Sequence, residues 1–420
     1  MPHVPRMFRS IENPNYRLYF FGQTISLLGS WLQSVAQAWL VYRLTGSSLQ
    51  LGLLAFIGQA PMLFLSPIGG LLGDRYRRRR VVIATQTSLM LLALVLAALT
   101  LRGHIQLWQL LLLAWLQGVV SAIDVPVRQA LVASIVEADD LLNAVALNSS
   151  ALSNASSVAP VIAGFLLATI GEGWCFAING VTYLAMIGGL LLMRIEEPPI
   201  RSGRLAAASR LREGFRFVHD TMPIRRILAL AAVVSLVGAP FTVLMPLFAD
   251  KVLHTGPRGL GTLMSAIGVG SLVGSLLLAS RRSLLGLGRW IVWSSAGLGA
   301  ALMFFSFSRS IVVSLLLLAP AGFCLFYQRT ASNTLIQAMS PEAMRGRAIG
   351  FLAMLVLGVA PFGSLVAAVL AERFGAPLTV VAAGLGCIIA SVGCSFDLPL
   401  LTVQGRQLIA ANFAPAGVHK

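Results

Sequence analysis

Long apolar runs dominate this sequence and leave the chain few ways to fold. A window of about 19 residues finds twelve apolar segments, each close to the roughly 20 residues that an α-helix needs to cross a hydrocarbon core. The segments lack the alternating pattern of a membrane β-strand. Of the 420 residues, 57% are hydrophobic and only 11% are charged, so the chain is too apolar for a water-soluble domain. We therefore expect an all-α membrane protein.

The twelve predicted spans form two groups of six. They are numbered in chain order and cover residues 17–42, 48–73, 80–101, 106–134, 142–170, 174–194, 224–249, 258–280, 287–308, 310–338, 346–371 and 376–396. One long polar break, residues 195–223, begins with prolines and continues as an Arg-rich amphipathic helix. We expect a six-helix bundle over 1–194, a cytoplasmic loop over 195–223, and a second six-helix bundle with a cytoplasmic tail over 224–420.

Basic residues predict the orientation of the spans. With the N-terminus inside, all but six of the 31 Lys and Arg residues fall on the cytoplasmic side. The six exceptions are Arg43, Arg102, Lys251, Arg258, Arg309 and Arg373. The positive-inside rule then places both termini in the cytoplasm, and we expect a bacterial inner-membrane protein. This asymmetry accounts for the net charge of +16, so no nucleic-acid partner is expected.

The two halves carry an internal repeat at a shift of 201 residues. Arg128 aligns with Arg329 at the cytoplasmic ends of spans 4 and 10, and APVIAG from Ala159 aligns with APFGSL from Ala360. Six spans per half give the two copies the same orientation, an arrangement described for secondary transporters. We expect a substrate path between the halves.

The stretch GGLLGDRYRRRRVV, residues 69–82, concentrates charge between spans 2 and 3. Its residues Gly70, Asp74, Arg75, Arg78 and Arg79 fit the loop signature G-x-x-x-D-R-x-x-R-R of the major facilitator superfamily, which the chain resembles over nearly its whole length. Within that superfamily, NPNYRLYFFGQTISLLGSWLQSVAQAWLVYRLTGS, DVPVRQALV and RGRAIGFLAMLVLGVAPFGSLVAAVLAERFGAP are similar to the drug and siderophore exporters, the branch that includes the enterobactin exporter. The resemblance implies the major facilitator fold and secondary active export of small amphipathic molecules by proton antiport.

The resemblance also implies a gating role for this loop. Asp74 is expected to cap the start of span 11 near residues 345–350, while the loop arginines bridge to Asp124 in span 4. Together with Arg128, these side chains would form a latch that keeps the cytoplasmic side closed in the outward-open state. The alternative is that the arginines only fix topology against anionic lipid, and we favour it for the two arginines outside the signature.

Polar side chains recur at helical spacing inside three spans, where facing lipid would cost free energy. The stripes are Gln23, Ser26, Ser30, Gln33 and Gln37 in span 1; Gln117, Ser121, Asp124 and Arg128 in span 4; and Tyr327, Thr330, Thr334 and Gln337 in span 10, with Arg329 and Asn333 beside them. The resemblance implies that spans 1, 4, 7 and 10 line a central cavity, so these residues are the candidate substrate site. The alternative is hydrogen bonding between helices without any substrate.

Span 5 is rich in small and hydroxylated residues, which let helices approach closely. Its Ala159, Pro160 and Gly164 resemble a degraded form of the glycine-proline motif of the family's antiporters, with alanines where glycines are usual. This motif favours export over uptake.

The sequence does not identify a proton carrier, because no Asp, Glu or His lies near the middle of a span. The candidates are Asp74, Asp124, Asp250 and Glu372. A Walker motif, paired catalytic carboxylates, a nucleophile–base set and metal-ligand spacing are all absent from the sequence, so we expect neither an enzyme nor a cofactor. The expected partners are a small-molecule substrate, protons and the lipid bilayer, and the protein is expected to be monomeric. The alternatives are a facilitator-type uptake permease and a non-transporting scaffold or sensor.

Overall fold

The computed structural model describes residues 6–137, 140–194, 207–281, 286–398, 403–405 and 407–408. Each predicted span is a helix in this part of the chain, and its bounds lie within a few residues of the predicted ones. In order, spans 1–12 are Pro14–Thr45, Ser48–Arg75, Arg78–Leu101, Leu107–Ile135, Leu141–Thr169, Glu172–Leu192, Met222–Val252, Gly256–Ala279, Leu287–Phe307, Ile311–Met339, Glu342–Phe374 and Ala376–Ser395. The prediction of an all-α membrane protein is confirmed.

Span 1 differs from the other spans in composition. Within the described residues, eleven helices are long and apolar enough to cross a membrane, and span 1 is not among them. It is a continuous helix of 32 residues, but its polar stripe makes it less hydrophobic than the rest. Four of the five stripe side chains are buried, so they pack against neighbouring helices and do not face lipid.

The described residues form two compact units. The first contains spans 1–6 together with Met245–Gly268, which is the end of span 7 and the beginning of span 8. The second contains the remaining parts of spans 7 and 8 and spans 9–12. The predicted bundle boundaries stay a prediction, since residues 195–206 of the central loop lie outside the described residues. The rest of that loop contains the helix Ala207–Asp220, here called the loop helix, as its amphipathic pattern predicts.

Glycines set the closest helix crossings of the first unit. Gly22 in span 1 lies so near span 6 that a Cβ atom there would come within 2.8 Å of the Ala185 carbonyl oxygen. In span 4, a Cβ atom on Gly118 would collide with the backbone of Gly58 in span 2. Because lipid chains are as apolar as leucine, helices in a membrane gain little by hiding hydrophobic surface, and close backbone packing stabilises the bundle instead.

Span 7 is the least regular of the described helices. It begins as an α-helix over Met222–Val233, continues through a π turn (Val234–Gly238) and a 3-10 stretch (Ala239–Leu244), and ends in a second π turn (Phe248–Val252). Pro240 and Pro246 lie in or next to the irregular stretches. A proline removes a backbone donor and crowds the preceding turn, which accounts for the change in hydrogen-bond pattern.

Candidate functional site

A buried ion pair lies in span 4 of the first unit. Asp124, only 2% exposed, accepts hydrogen bonds from Thr85 Oγ1 at 2.6 Å and Gln86 Nε2 at 3.0 Å, both to its Oδ1 atom. Its Oδ2 atom lies 3.2 Å from Arg128 Nε, one turn along the same helix. The predicted bridge from the loop arginines to Asp124 is not formed among the described residues, because Arg128 and span 3 already occupy both carboxylate oxygens.

The loop arginines instead bind the ends of neighbouring helices in their own unit. Arg78 donates from Nη1 to the Ala130 carbonyl in span 4 at 3.1 Å, and Arg79 donates from Nη2 to the Leu191 carbonyl in span 6 at 2.9 Å. The Arg75 guanidinium lies 5.9 Å from the centre of the Tyr76 ring. These contacts fix the loop against spans 4 and 6. Gly70 and the Asp74 side chain, the other two signature positions, lie outside the described side chains.

The stripe of span 1 joins spans 4 and 6 through amide hydrogen bonds. Gln33 accepts from Asn179 Nδ2 at 2.6 Å and donates to Gln117 Oε1 at 3.1 Å. Gln37 donates to the same Gln117 oxygen at 3.4 Å, and Ser30 lies 3.4 Å from the Tyr183 hydroxyl. The sequence-predicted residues Gln33, Gln37 and Gln117 therefore meet, and they hold three helices together.

The remaining stripe residues of spans 1 and 4 are less tightly paired. Gln23 and Ser26 are buried, and Gln23 Oε1 has no hydrogen-bond partner within the described part of the chain. Ser121 is half-buried on the face of span 4 that also carries Gln117.

Span 10 separates its predicted residues onto two sides. Tyr327 is fully buried, with its ring 5.6 Å from Phe323 and 5.9 Å from Trp290, so it packs against other rings. Arg329 is exposed and Asn333, one turn further, is half-buried. Thr334 satisfies its hydroxyl within the helix by donating to the Thr330 carbonyl at 3.0 Å. Arg329 and Asn333 therefore form the accessible polar face of this span.

The degraded motif of span 5 lies where that helix crosses span 8. A Cβ atom on Gly164 would collide with the backbone of Gly261, and one on Gly261 would lie 3.1 Å from the Pro160 carbonyl oxygen. Ala159 is buried beside this crossing. The motif allows two helices of the first unit to touch backbone to backbone.

Several hydrogen-bond partners in this region could not be predicted from the sequence. Thr85 and Gln86 begin a short polar run, residues 85–88, inside an apolar span, and Asn179 is an isolated polar residue in another. Such residues mark an intramembrane partner without naming it. At the C-terminal ends of spans 1 and 7, here called the outer contact, Tyr42 donates to Asp250 Oδ2 at 2.7 Å and Lys251 Nζ donates to the Gly46 carbonyl at 3.1 Å. This outer contact joins residues that are about 200 positions apart in sequence, so no local pattern predicts it.

Comparison with known proteins places this geometry in a family. The family model MFS_3, described as transmembrane secretion effector, matches residues 7–418. The chain is 26% identical over 374 residues to the staphyloferrin A transporter of Staphylococcus aureus, covering 88% of this chain and 93% of that protein. It is also 26% identical over 386 residues to the enterobactin exporter EntS of Escherichia coli, covering 90% and 91%.

Solved structures of other transporters share the fold. A bacterial homologue of the human lysosomal transporter Spinster, in an inward-facing and unoccupied conformation, matches with a TM-score of 0.69 and 15% identity, covering 98% of this chain and 100% of that one. A D-xylose–proton symporter matches with a TM-score of 0.68 and 14% identity, covering 90% and 97%. The chain therefore belongs to the transmembrane secretion effector family of major facilitator transporters, and it is a multi-pass membrane transporter, not an enzyme.

Proposed function

We propose that this protein exports small amphipathic organic molecules of the drug or siderophore class across a bacterial inner membrane by proton antiport with alternating access. The observation that carries the proposal is the similarity to a staphyloferrin A transporter and an enterobactin exporter over about nine tenths of both chains. The fold alone leaves the direction of transport open, because a proton symporter also shares it. The distribution of basic residues supports a cytoplasmic location of both termini, which is part of this proposal.

The proposed substrate site consists of the polar faces of spans 1, 4 and 10. In the first unit, Gln33, Gln37 and Gln117 order the wall of the site through their mutual hydrogen bonds, while the half-buried Ser121 retains a polar atom for a solute. In the second unit, the accessible face of span 10 contributes the cationic side chain of Arg329. A site with many amides and one cation suits a molecule that combines apolar, hydrogen-bonding and charged parts.

The proposed latch consists of the loop signature with Asp124 and Arg128. Arg78 and Arg79 hold the loop on spans 4 and 6, which positions the end of span 2 and so the Asp74 backbone. In the outward-open state Asp74 would cap the start of span 11. That start has no side-chain cap among the described residues.

Transport into everted membrane vesicles tests the proposal. Respiration acidifies the vesicle lumen, so a proton-driven exporter should accumulate fluorescent solutes such as dansylglycine, dansylglycinamide or dansylcadaverine above equilibrium. Accumulation should collapse when a protonophore is added and should exceed that in vesicles without the protein, where protonation in the acidic lumen alone traps an amine such as dansylcadaverine. If the solute only equilibrates across the membrane, and does so at the same rate with and without a proton gradient, the protein is a facilitator. No movement of any of the three by a well-folded protein would exclude export of this solute class.

A further inference from the structure

We propose that Arg329 binds an anionic group of the transported molecule, so that the preferred substrates of this transporter carry a carboxylate or a similar oxyanion. The inference rests on the proposed transport function and adds to it the charge class of the substrate. Three observations carry it: the position of the arginine, its lack of an acidic partner, and a difference between the two copies of the internal repeat.

The structure places Arg329 deeper within span 10 than the helix end to which the sequence pattern assigned it. Span 10 ends at Met339, so about 15 Å of helix separates Arg329 from the cytoplasmic end. The side chain is exposed, in a helix whose neighbouring positions are mostly buried. A cation at this depth is costly unless it faces water or an anion, and such residues mark substrate or ion pathways.

No described carboxylate pairs with Arg329. Six described carboxylates pair with other cations: Asp124 with Arg128, Asp140 with Arg9, Glu172 with Arg43, Glu213 with Arg347, Asp220 with Arg216 and His219, and Asp397 with Arg226. Asp250 is occupied by the Tyr42 hydroxyl. The guanidinium of Arg329 therefore keeps its hydrogen-bond donors available for an exchangeable anion.

The internal repeat shows that an acidic partner is missing from the second copy. At the shift of 201 residues, Arg128 aligns with Arg329, and Asp124 aligns with Leu325. In the first copy the carboxylate one turn earlier neutralises the arginine at 3.2 Å. In the second copy leucine occupies that position. The same helix position thus carries a neutralised cation in one half and an open cation in the other.

The neighbouring side chain extends the site. Asn333 lies four positions after Arg329, so the two share a helix face with Cβ atoms about 6 Å apart. A guanidinium offers parallel donors that match the two oxygens of a carboxylate, and an amide adds a further donor. Oxyanions, either a solute carboxylate or a lipid phosphate, satisfy this donor set.

Binding measurements with a matched pair of probes test the inference. The purified protein is placed in phosphatidylcholine vesicles and titrated with dansylglycine and dansylglycinamide, which differ only in charge. The wild type should bind the acid about 10-fold more tightly than the amide. Arg329→Gln should lose this preference while keeping its affinity for the amide, and Arg329→Lys should retain part of it.

A second variant tests the site without removing the arginine. Leu325→Asp recreates the acid–arginine spacing of the first copy, so it should abolish the preference for dansylglycine as fully as Arg329→Gln does. Leu325→Asn is the matched control, because it introduces a polar side chain without charge, and it should keep the preference. Melting temperatures of all variants show that each is folded.

Three results would overturn the inference. They are a wild type that does not prefer the acid, an Arg329→Gln variant that loses both probes equally, and a Leu325→Asp variant that keeps the preference. If phosphatidylglycerol in the vesicles displaces dansylglycine from the wild type, the site belongs to a lipid headgroup and the substrate assignment is wrong. Binding needs no proton gradient, so the two proposals can fail separately. If the protein prefers the acid but accumulates no solute in vesicles, only the proposed function is contradicted. If it accumulates solute but does not prefer the acid, only this inference is contradicted.

Discussion

The buried carboxylate of Asp124 in the first unit is stabilised by side chains of two neighbouring helices, spans 3 and 4. Asp124 receives hydrogen bonds from span 3 and an ion pair from its own helix, so its negative charge is compensated on both oxygens. Removing one partner from a buried pair leaves the other charge without compensation, which costs more than the pair itself contributes. The Asp124–Arg128 pair should therefore behave as a unit.

The Asp124→Asn variant should lower the free energy of unfolding by about 3 to 5 kcal/mol, because the Arg128 guanidinium, only 18% exposed, would keep its charge without a counterion. The double variant Asp124→Asn/Arg128→Gln should recover part of that loss. Asp140→Asn is the control, since its partner Arg9 is 58% exposed and the pair contributes little. Unfolding of the purified protein would measure all three, and a double variant less stable than Asp124→Asn would contradict the explanation.

At the residue scale, the sequence predicted which helix face a polar side chain occupies better than it predicted the hydrogen-bond partner of that side chain. The 3, 4, 3, 4 spacing predicted that Gln33 and Gln37 share one face of span 1, because helical periodicity fixes which side chains share a face. Both of them bond Gln117 of span 4. The spacing could not distinguish a cavity wall from a hydrogen bond between helices, since both place a polar residue away from lipid. The partner Asn179 lies about 150 positions away, and only tertiary packing brings it to Gln33.

At the element scale, the crossing of spans 2 and 4 depends on one of its two glycines far more than on the other. Gly58 and Gly118 face the same contact, but a Cβ atom on Gly118 would collide with the Gly58 backbone, whereas one on Gly58 would meet only the Ala114 oxygen at 3.9 Å. Backbone atoms cannot move aside as a flexible side chain can. The two positions therefore provide a matched pair of substitutions.

The Gly118→Ala variant should destabilise the protein by about 1 to 3 kcal/mol, because the two helices must separate to admit the methyl group. Gly58→Ala should be neutral or slightly stabilising, since the added methyl group makes only ordinary contact. Melting temperatures and expression levels of the two variants would measure the difference. Equal effects would show that this crossing does not limit the packing of the bundle.

Element bounds could be predicted closely from the sequence. Apolar length and flanking charge determine where a helix can lie in a bilayer, so the predicted span 3 at 80–101 became Arg78–Leu101. The π and 3-10 turns of span 7 were not predicted, because hydropathy carries no information about which carbonyl group accepts the hydrogen bond of each backbone N–H. The polar span 1 was found only because a window tolerates a narrow polar stripe.

At the scale of the whole molecule, the latch predicts how one carboxylate biases the conformational cycle. Asp74→Asn removes the charge and keeps the size, so the outward-open state should lose a charge-assisted contact of about 1 to 3 kcal/mol, a shift of roughly 5-fold to 150-fold toward inward-open. Spin-label distances between the cytoplasmic ends of the two halves should lengthen, and transport should fall while expression holds. If the spin-label distances are unchanged and the variant exports at the full rate, the loop only fixes the orientation of the spans in the membrane.

Span 7 belongs to both compact units, and the unit boundary at Leu244 and Met245 coincides with the end of its 3-10 stretch. A helix shared by two bodies must bend if they move, and bending in hydrocarbon would expose unpaired backbone groups to lipid at high cost. Phe241 and Leu244 of this stretch are buried in protein, whereas Thr242 and Val243 are half-buried. A hinge here would lie partly within protein, so fewer of its backbone groups would meet the acyl chains when it bends.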